Sequence, residues 1–80
     1  MGRDIELAHL ESAHLELAHL AQAERHVAIG QRLTARQEAI VIAFESHGDD
    51  TTLARAVLAT FLQSMQLHEE HLSRIRDELQ

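Results

Sequence analysis

The chain has 80 residues, lacks cysteine, proline, tryptophan and tyrosine, and carries a formal net charge of −6 with its histidines neutral. The absence of cysteine excludes disulfides and thiolate metal sites, and an acidic chain with two phenylalanines lacks the basic face and aromatic platforms of a nucleic-acid binder. A domain this small buries a modest share of its surface, so a lone copy is expected to be marginally stable.

Residues 6–20 repeat a five-residue unit three times, as ELAHL, ESAHL and ELAHL. Five residues turn a helix by about 140°, so the leucines of successive units point in different directions. A helix that is apolar on several sides needs more than one neighbour. The repeat also carries three Glu-x-x-His pairs, of which at most one can face a given core.

The sequence predicts an all-α chain that divides once. Gly48 suits the left-handed residue that closes a helix, and Asp50 or Thr51 can cap the next helix by accepting a backbone hydrogen bond. Asp4 is the predicted N-cap of the first helix. The expected organisation is one domain over residues 1–80, with a helix over about 5–46, a turn at 47–50 and a helix over about 51–79.

Both helices show apolar stripes suited to helix packing. In the second helix the stripe is Ala54, Leu58, Phe61, Met65, His68, Leu72, Ile75 and Leu79. In the first helix it is His19, Ala23, His26, Gly30, Leu33, Gln37, Ile40 and Phe44. Gly30 is interpreted as a point where a neighbouring backbone approaches closely, with a local bend of the helix as the alternative. The predicted packing residues, in the hairpin or a dimer, are Leu10, Leu17, Leu20, Leu33, Ile40, Phe44, Leu58, Phe61, Met65, Leu72 and Ile75.

A short turn folds the two helices into an antiparallel hairpin whose facing residues have numbers adding to about 97. The second helix then ends opposite residue 17 or so, and the first helix overhangs it by about 20 Å. The surplus apolar surface predicts a homodimer in which two hairpins form a four-helix bundle and each overhang is covered by the other subunit. The alternative is a frayed extension over residues 1–17.

Seven histidines are present, and the register places His26 and His68 near the same level, with His71 one turn further along. Imidazole and carboxylate groups hold zinc, iron or manganese, so His26, His68 and His71 are candidate metal ligands. In a second interpretation, favoured because spacing alone often matches metal patterns, His26 and His68 form a polar layer that fixes register. A third is a pH response, since histidines titrate between about pH 5 and 8.

No nucleophile motif or glycine-rich phosphate loop is present, so the sequence predicts a protein that is not an enzyme. The expected function is a self-association or protein-interaction module, with a second copy and possibly another protein as partner, and no cofactor. The alternative is a His/Glu metal-binding four-helix bundle holding zinc, iron or manganese. No apolar run reaches the roughly 18–20 residues that span a bilayer, so a cytoplasmic protein without membrane contact is expected.

Several short segments from Ala23 onward carry a family resemblance. They are Ala23–Ala28 with Gly30, then Gln37, Gly48–Thr51, Leu58–Phe61, His68 and His71. Through these segments the chain resembles a group of small uncharacterised bacterial helical-hairpin proteins. The resemblance covers the part from Ala23 onward, about three quarters of the chain. The group has no assigned activity, so the resemblance implies a helical hairpin and no function.

Overall fold

The computed structural model describes residues 2–80, which form two α-helices, α1 (Gly2–His47) and α2 (Thr52–Glu78). The helices pack as an antiparallel hairpin, which confirms the predicted fold class. At about 1.5 Å per residue the 46 residues of α1 span about 69 Å, which sets the longest dimension of the molecule at 71 Å. Of the predicted domain, Met1 lies outside the described residues.

The N-terminus of α1 differs from the prediction. Because α1 begins at Gly2, Asp4 lies in its first turn and is not the N-cap. Its carboxylate is still close to the positive end of the helix dipole, where an anion is stabilising.

The turn is closed by a Schellman motif around Gly48. Gly48 has φ +73°, its N–H donates to the carbonyl oxygen of Glu45 at 3.1 Å, and the N–H of Asp49 donates to Phe44 at 2.9 Å. Thr51 occupies the N-cap position of α2, but its side chain makes no capping hydrogen bond. Asp50, one residue earlier, accepts instead: its Oδ1 receives hydrogen bonds from the backbone N–H of Thr52 at 2.9 Å and from the Thr52 hydroxyl at 2.7 Å. Both sequence signals for the turn are therefore confirmed, with Asp50 as the side chain that accepts the backbone bond.

The face of α2 that packs on α1 is the predicted stripe. Its buried members are Ala54, Met65 and Leu72, and its half-buried members are Leu58, Phe61, His68 and Ile75. Only Leu79, just beyond the end of α2, is exposed.

The packing line on α1 departs from the predicted stripe at every second position. The residues that α2 covers are Ala23, Val27, Gly30, Thr34, Gln37 and Val41. The prediction had His26, Leu33 and Ile40 where the structure has Val27, Thr34 and Val41. The small residues at positions 23 and 30 let α2 approach closely, and the larger side chains of the predicted stripe lie beside the seam, with His26, Leu33 and Phe44 exposed.

Gly30 of α1 lies directly against the Met65 side chain of α2. A Cβ at Gly30 would collide with Sδ of Met65 and would lie 3.5 Å from Cγ and 3.7 Å from Cε of the same side chain. The predicted close approach is present, but the neighbour is this side chain and not the α2 backbone.

Contacts between the helices confirm the predicted register. Three contacts join residues whose numbers add to between 94 and 100. They are the exposed ion pairs Arg55–Glu45 and Arg76–Glu24 and the adjacent, tilted rings of His26 and His68. Ion pairs this exposed contribute little to stability, so apolar packing along the seam is what holds the hairpin together.

The hairpin has far more surface than a compact protein of its length. It exposes 6458 Å², whereas a compact monomer of this size exposes about 4,900 Å². Its radius of gyration is 19.4 Å, against about 12 Å for a compact chain. Within residues 2–80 neither helix combines the length and apolar character of a membrane-spanning segment.

Candidate functional site

One side of the hairpin carries an apolar groove between α1 and α2, here called the histidine face. The groove has a volume of about 330 Å³ and is lined by His26, Ile29, Gly30, Leu33 and Thr34 of α1 and Phe61, Ser64, Met65 and His68 of α2. Its lining surface is mostly apolar and comes from Ile29, Leu33, Phe61 and Met65. Ile29 and Leu33 are 45% and 44% exposed. The groove is therefore an open apolar surface with two imidazoles at one end.

The same face continues toward the turn. Ile40 and Phe44 follow Leu33 at steps of seven and four residues, which keeps them on one side of α1. Val57 precedes Phe61 by four residues on the corresponding side of α2. Phe44 is 40% exposed, and Ile40 and Val57 are half-buried. The apolar part of the histidine face thus runs from His26 to the end of the hairpin.

His26 and His68 lie next to one another, with ring centroids 5.4 Å apart and ring planes inclined at 60°. The register predicted this juxtaposition. His26 is exposed and His68 is half-buried, so the pair borders solvent and is not an enclosed polar layer within one hairpin.

A second groove, of about 440 Å³, adjoins the first on the same side. Its lining includes His19, Ala23, His26, His71 and Ile75, together with Gln22, Arg74 and Glu78. His26 lines both grooves, so it stands between them. The three candidate metal ligands His26, His68 and His71 therefore share one side of the hairpin, although no group of three or more His, Asp or Glu side chains within residues 2–80 is arranged to hold a metal ion.

The opposite side of the hairpin is more polar. Its two grooves are lined mainly by polar side chains: Gln31, Thr34, Glu38, Gln66 and Glu69 in one, and Gln31, Glu69, Ser73, Arg76, Asp77 and Gln80 in the other. Leu62, 50% exposed, lines the first of these grooves, and the buried Met65 and Leu72 border them from the seam. The two sides thus differ in chemistry, and the histidine face is the apolar one.

The segment of α1 before residue 20 is exposed throughout residues 3–19. Its large apolar side chains are Ile5, Leu7, Leu10, Leu15 and Leu17, each 57–62% exposed. The predicted overhang is therefore present. The pairs Glu6/His9 and Glu11/His14 lie on it in solvent, whereas Glu16 and His19 lie beside the end of α2.

The predicted packing residues fall into three groups within one chain. Met65 and Leu72 are buried, Leu20, Ile40, Leu58, Phe61 and Ile75 are half-buried, and Leu10, Leu17, Leu33 and Phe44 are exposed. Sequence reasoning missed Ile29, which lines the groove; its position three residues after His26, on the same helical side, was the available signal.

Neither a family model, nor a curated protein, nor a solved structure matches the chain. The resemblance to helical-hairpin proteins therefore stays a prediction.

Proposed function

We propose that this protein is a self-association module, in which two hairpins pack through their histidine faces to form a helical bundle. The observation that carries the proposal is the surplus surface. The hairpin exposes 6458 Å², about 1,600 Å² more than a compact monomer of its length. A dimer that removes this surplus from both copies buries about 3,200 Å² in total, within the range of obligate dimers.

The position of the apolar residues supports a second copy as the occupant. The overhang has large apolar side chains but no second helix beside it, and the histidine face has apolar side chains but no third helix over them. The overhang of one hairpin can therefore cover the histidine face of another, and that hairpin supplies the neighbouring helices that the overhang lacks. Exposed apolar surface on this scale marks an interaction site, and a twofold pair of hairpins covers both parts at once.

Sedimentation equilibrium over a micromolar concentration range tests the proposal. We expect a dimer for the unmodified chain. Leu15→Glu places a charge on the overhang, on the same side of α1 as Leu33 because 18 residues make five full turns. It is expected to weaken the dimer by about 100-fold or more, since an unpaired charge is costly to bury. Glutamate is a good helix former, so circular dichroism should show the helices intact.

Leu62→Glu is the matched control, because Leu62 is also an exposed leucine but lies on the opposite side of the hairpin. It should leave the dimer unchanged. A folded monomer for the unmodified chain, or equal effects of the two substitutions, would contradict the proposal.

A further inference from the structure

His26 of α1 and His68 of α2 are brought together by the packing of the seam. Seam residues lie one helical turn to either side of each histidine: Ala23 and Gly30 around His26, and Met65 and Leu72 around His68. The contact between Gly30 and Met65 sets how closely the helices approach at this level. The packing therefore fixes the two helices here, and they carry the two rings with centroids 5.4 Å apart.

The ring nitrogens of both histidines are available to a ligand. Within residues 2–80 neither ring forms a hydrogen bond with another protein group. His26 is exposed and His68 is half-buried, and the groove that His19 and His71 line opens beside them. An ion from solvent can therefore reach the pair.

We infer that His26 and His68 of one chain form a metal site, here called the histidine clip, that binds one divalent transition-metal ion such as Zn²⁺ across the two helices. Imidazole is a ligand that suits zinc, copper and nickel. With metal–nitrogen distances of about 2.0–2.1 Å and a tetrahedral angle, the centres of two coordinating rings lie about 5 Å apart. The observed separation of 5.4 Å is close to this value.

The histidine clip supplies two protein ligands. No group of three or more His, Asp or Glu side chains in the part of the chain that the structure describes is arranged around one point, so water completes the coordination of the ion. This inference goes beyond the proposed self-association, because both ligands belong to one chain and the expected stoichiometry is one ion per chain.

The charges near the histidine clip favour a cation. The chain has a formal net charge of −6, which raises the local concentration of cations. Glu78 lines the adjoining groove, where Arg74 is the positive group. Arg76, on the opposite side of α2, is paired with Glu24. Magnesium and calcium prefer oxygen ligands, so the clip should discriminate against them.

A competing pair of imidazoles lies on α2 alone. His68 and His71 are three residues apart, which places them on one side of the helix. An ion held by these two would leave His26 unused and would not join the helices. An ion held by the histidine clip binds the docked hairpin more tightly than the unfolded chain, so it stabilises the fold. Variants of His26 and His71 therefore distinguish the two arrangements.

The test uses the full chain without an added histidine tag, freed of metal with a chelator that is then removed. Zn²⁺ is titrated while the ring-nitrogen resonances of the histidines are followed by NMR. We expect the first equivalent to shift His26 and His68 together, ahead of the other five histidines. Thermal unfolding should move to higher temperature with Zn²⁺ and should not respond to the same concentration of Mg²⁺.

His26→Ala and His68→Ala should each weaken Zn²⁺ binding by about 100-fold or more, because loss of a ligand exceeds the 10–100-fold effect of outer-shell changes. Both should also abolish the rise in unfolding temperature. Alanine is the better helix former, so circular dichroism should show the helices intact. His71→Ala should lose much less affinity than His26→Ala. His47→Gln should bind as the unmodified chain does, since His47 lies at the far end of α1.

Zn²⁺ binding that survives His26→Ala and is lost in His71→Ala would overturn the histidine clip in favour of the pair on α2. No binding to the unmodified chain, or an equal response of all seven histidines, would overturn the clip as well.

The oligomeric state is measured on the same samples by sedimentation equilibrium. One ion per chain supports the histidine clip in a monomer or in a dimer, and one ion for two chains would overturn it. A monomer that binds one Zn²⁺ would contradict the proposed self-association and leave the clip standing. A dimer that binds none would do the reverse.

Discussion

Gln37 of α1 donates a hydrogen bond from Nε2 to the backbone carbonyl oxygen of Ala54 in α2, at 2.9 Å and in a buried position. It is the side-chain bond that links the two helices inside the seam. Because Ala54 lies in the first turn of α2, the bond ties the start of α2 to a defined level of α1. A buried polar pair of this kind fixes register as well as adding stability.

Replacing Gln37 with methionine should lower the free energy of unfolding by about 1 kcal/mol, because methionine keeps the volume of the side chain and removes the hydrogen bond. Urea unfolding at one fixed protein concentration measures the change. Gln63→Met is the matched control, since Gln63 is exposed and substitution there should stay within about 0.5 kcal/mol of zero. Equal effects at the two positions would show that the bond adds nothing.

Thr34, unlike Gln37, is a buried polar residue whose side chain lacks a hydrogen bond within the described residues. It is 8% exposed, and within the described part of the chain its Oγ1 has no hydrogen-bond partner. Burying a hydroxyl without a partner is unfavourable, and valine has nearly the same shape and a similar helix propensity. Thr34→Val should therefore raise the free energy of unfolding by about 1 kcal/mol.

Thr60→Val is the comparison for Thr34→Val. Thr60 is exposed, and its hydroxyl donates to the carbonyl oxygen of Ala56 at 3.2 Å. Removing this hydroxyl should change stability little. If Thr34→Val is destabilising, the hydroxyl of Thr34 contributes to folding.

Gly30 and Met65 are expected to be coupled. Alanine at position 30 gains up to about 1 kcal/mol of helix propensity, but its Cβ would overlap the Met65 side chain, and overpacking a seam costs about 1–3 kcal/mol. Gly30→Ala should thus be neutral to destabilising in the unmodified chain. In a Met65→Val background, which lacks the sulfur and its methyl group, the same change should become stabilising by up to about 1 kcal/mol. A double-mutant cycle measures the difference, and an equal effect in both backgrounds would contradict the close packing.

The fold was predictable from the sequence because its signals are local. Each signal depends on residues within one or two helical turns. These signals are the alternating four- and three-residue steps of α2, the glycine at position 48 and the acid at position 50. The α1 seam was less predictable because α1 has competing apolar stripes, and its periodicity does not say which one α2 covers. Thr34 and Val41 belong to the true seam because close approach at Ala23 and Gly30 selects it, and that choice depends on the partner helix.

The histidine pair was predictable for the same reason as the hairpin. Once the turn is placed at Gly48, counting outward along two helices brings position 26 near position 68. The groove beside the pair was not predictable, because its width depends on how the two helices are rotated about their axes. The sequence also gives no direct sign of whether the exposed side of His26 faces solvent or a second copy.

Asp50 should make the stability of the start of α2 depend on pH. The hydroxyl of Thr52, and then its backbone N–H, donate to the carboxylate and hold the pKa of Asp50 below its ordinary value of 3.8. Because the folded state favours the ionised carboxylate of Asp50, ionisation of this group stabilises the fold. This stabilisation is complete above pH 3.8 and is lost as the pH falls through the lower pKa of the folded state. Asparagine can still accept the bonds but carries no charge. Asp50→Asn should therefore be less stable than the unmodified chain at pH 7, and the difference should shrink as the pH is lowered from 4 toward 2.

Thermal unfolding of the two chains in parallel measures this difference, and comparing them at each pH cancels the titration of groups they share. Thr52→Val provides the control, because it removes the hydroxyl that contributes most to the lowered pKa and keeps the backbone N–H. In that background the effect of Asp50→Asn should vary less with pH. A stability difference that is the same at pH 7 and at pH 2.5 would mean that the charge of Asp50 does not stabilise α2, and that the hydrogen bonds alone account for its role at the turn.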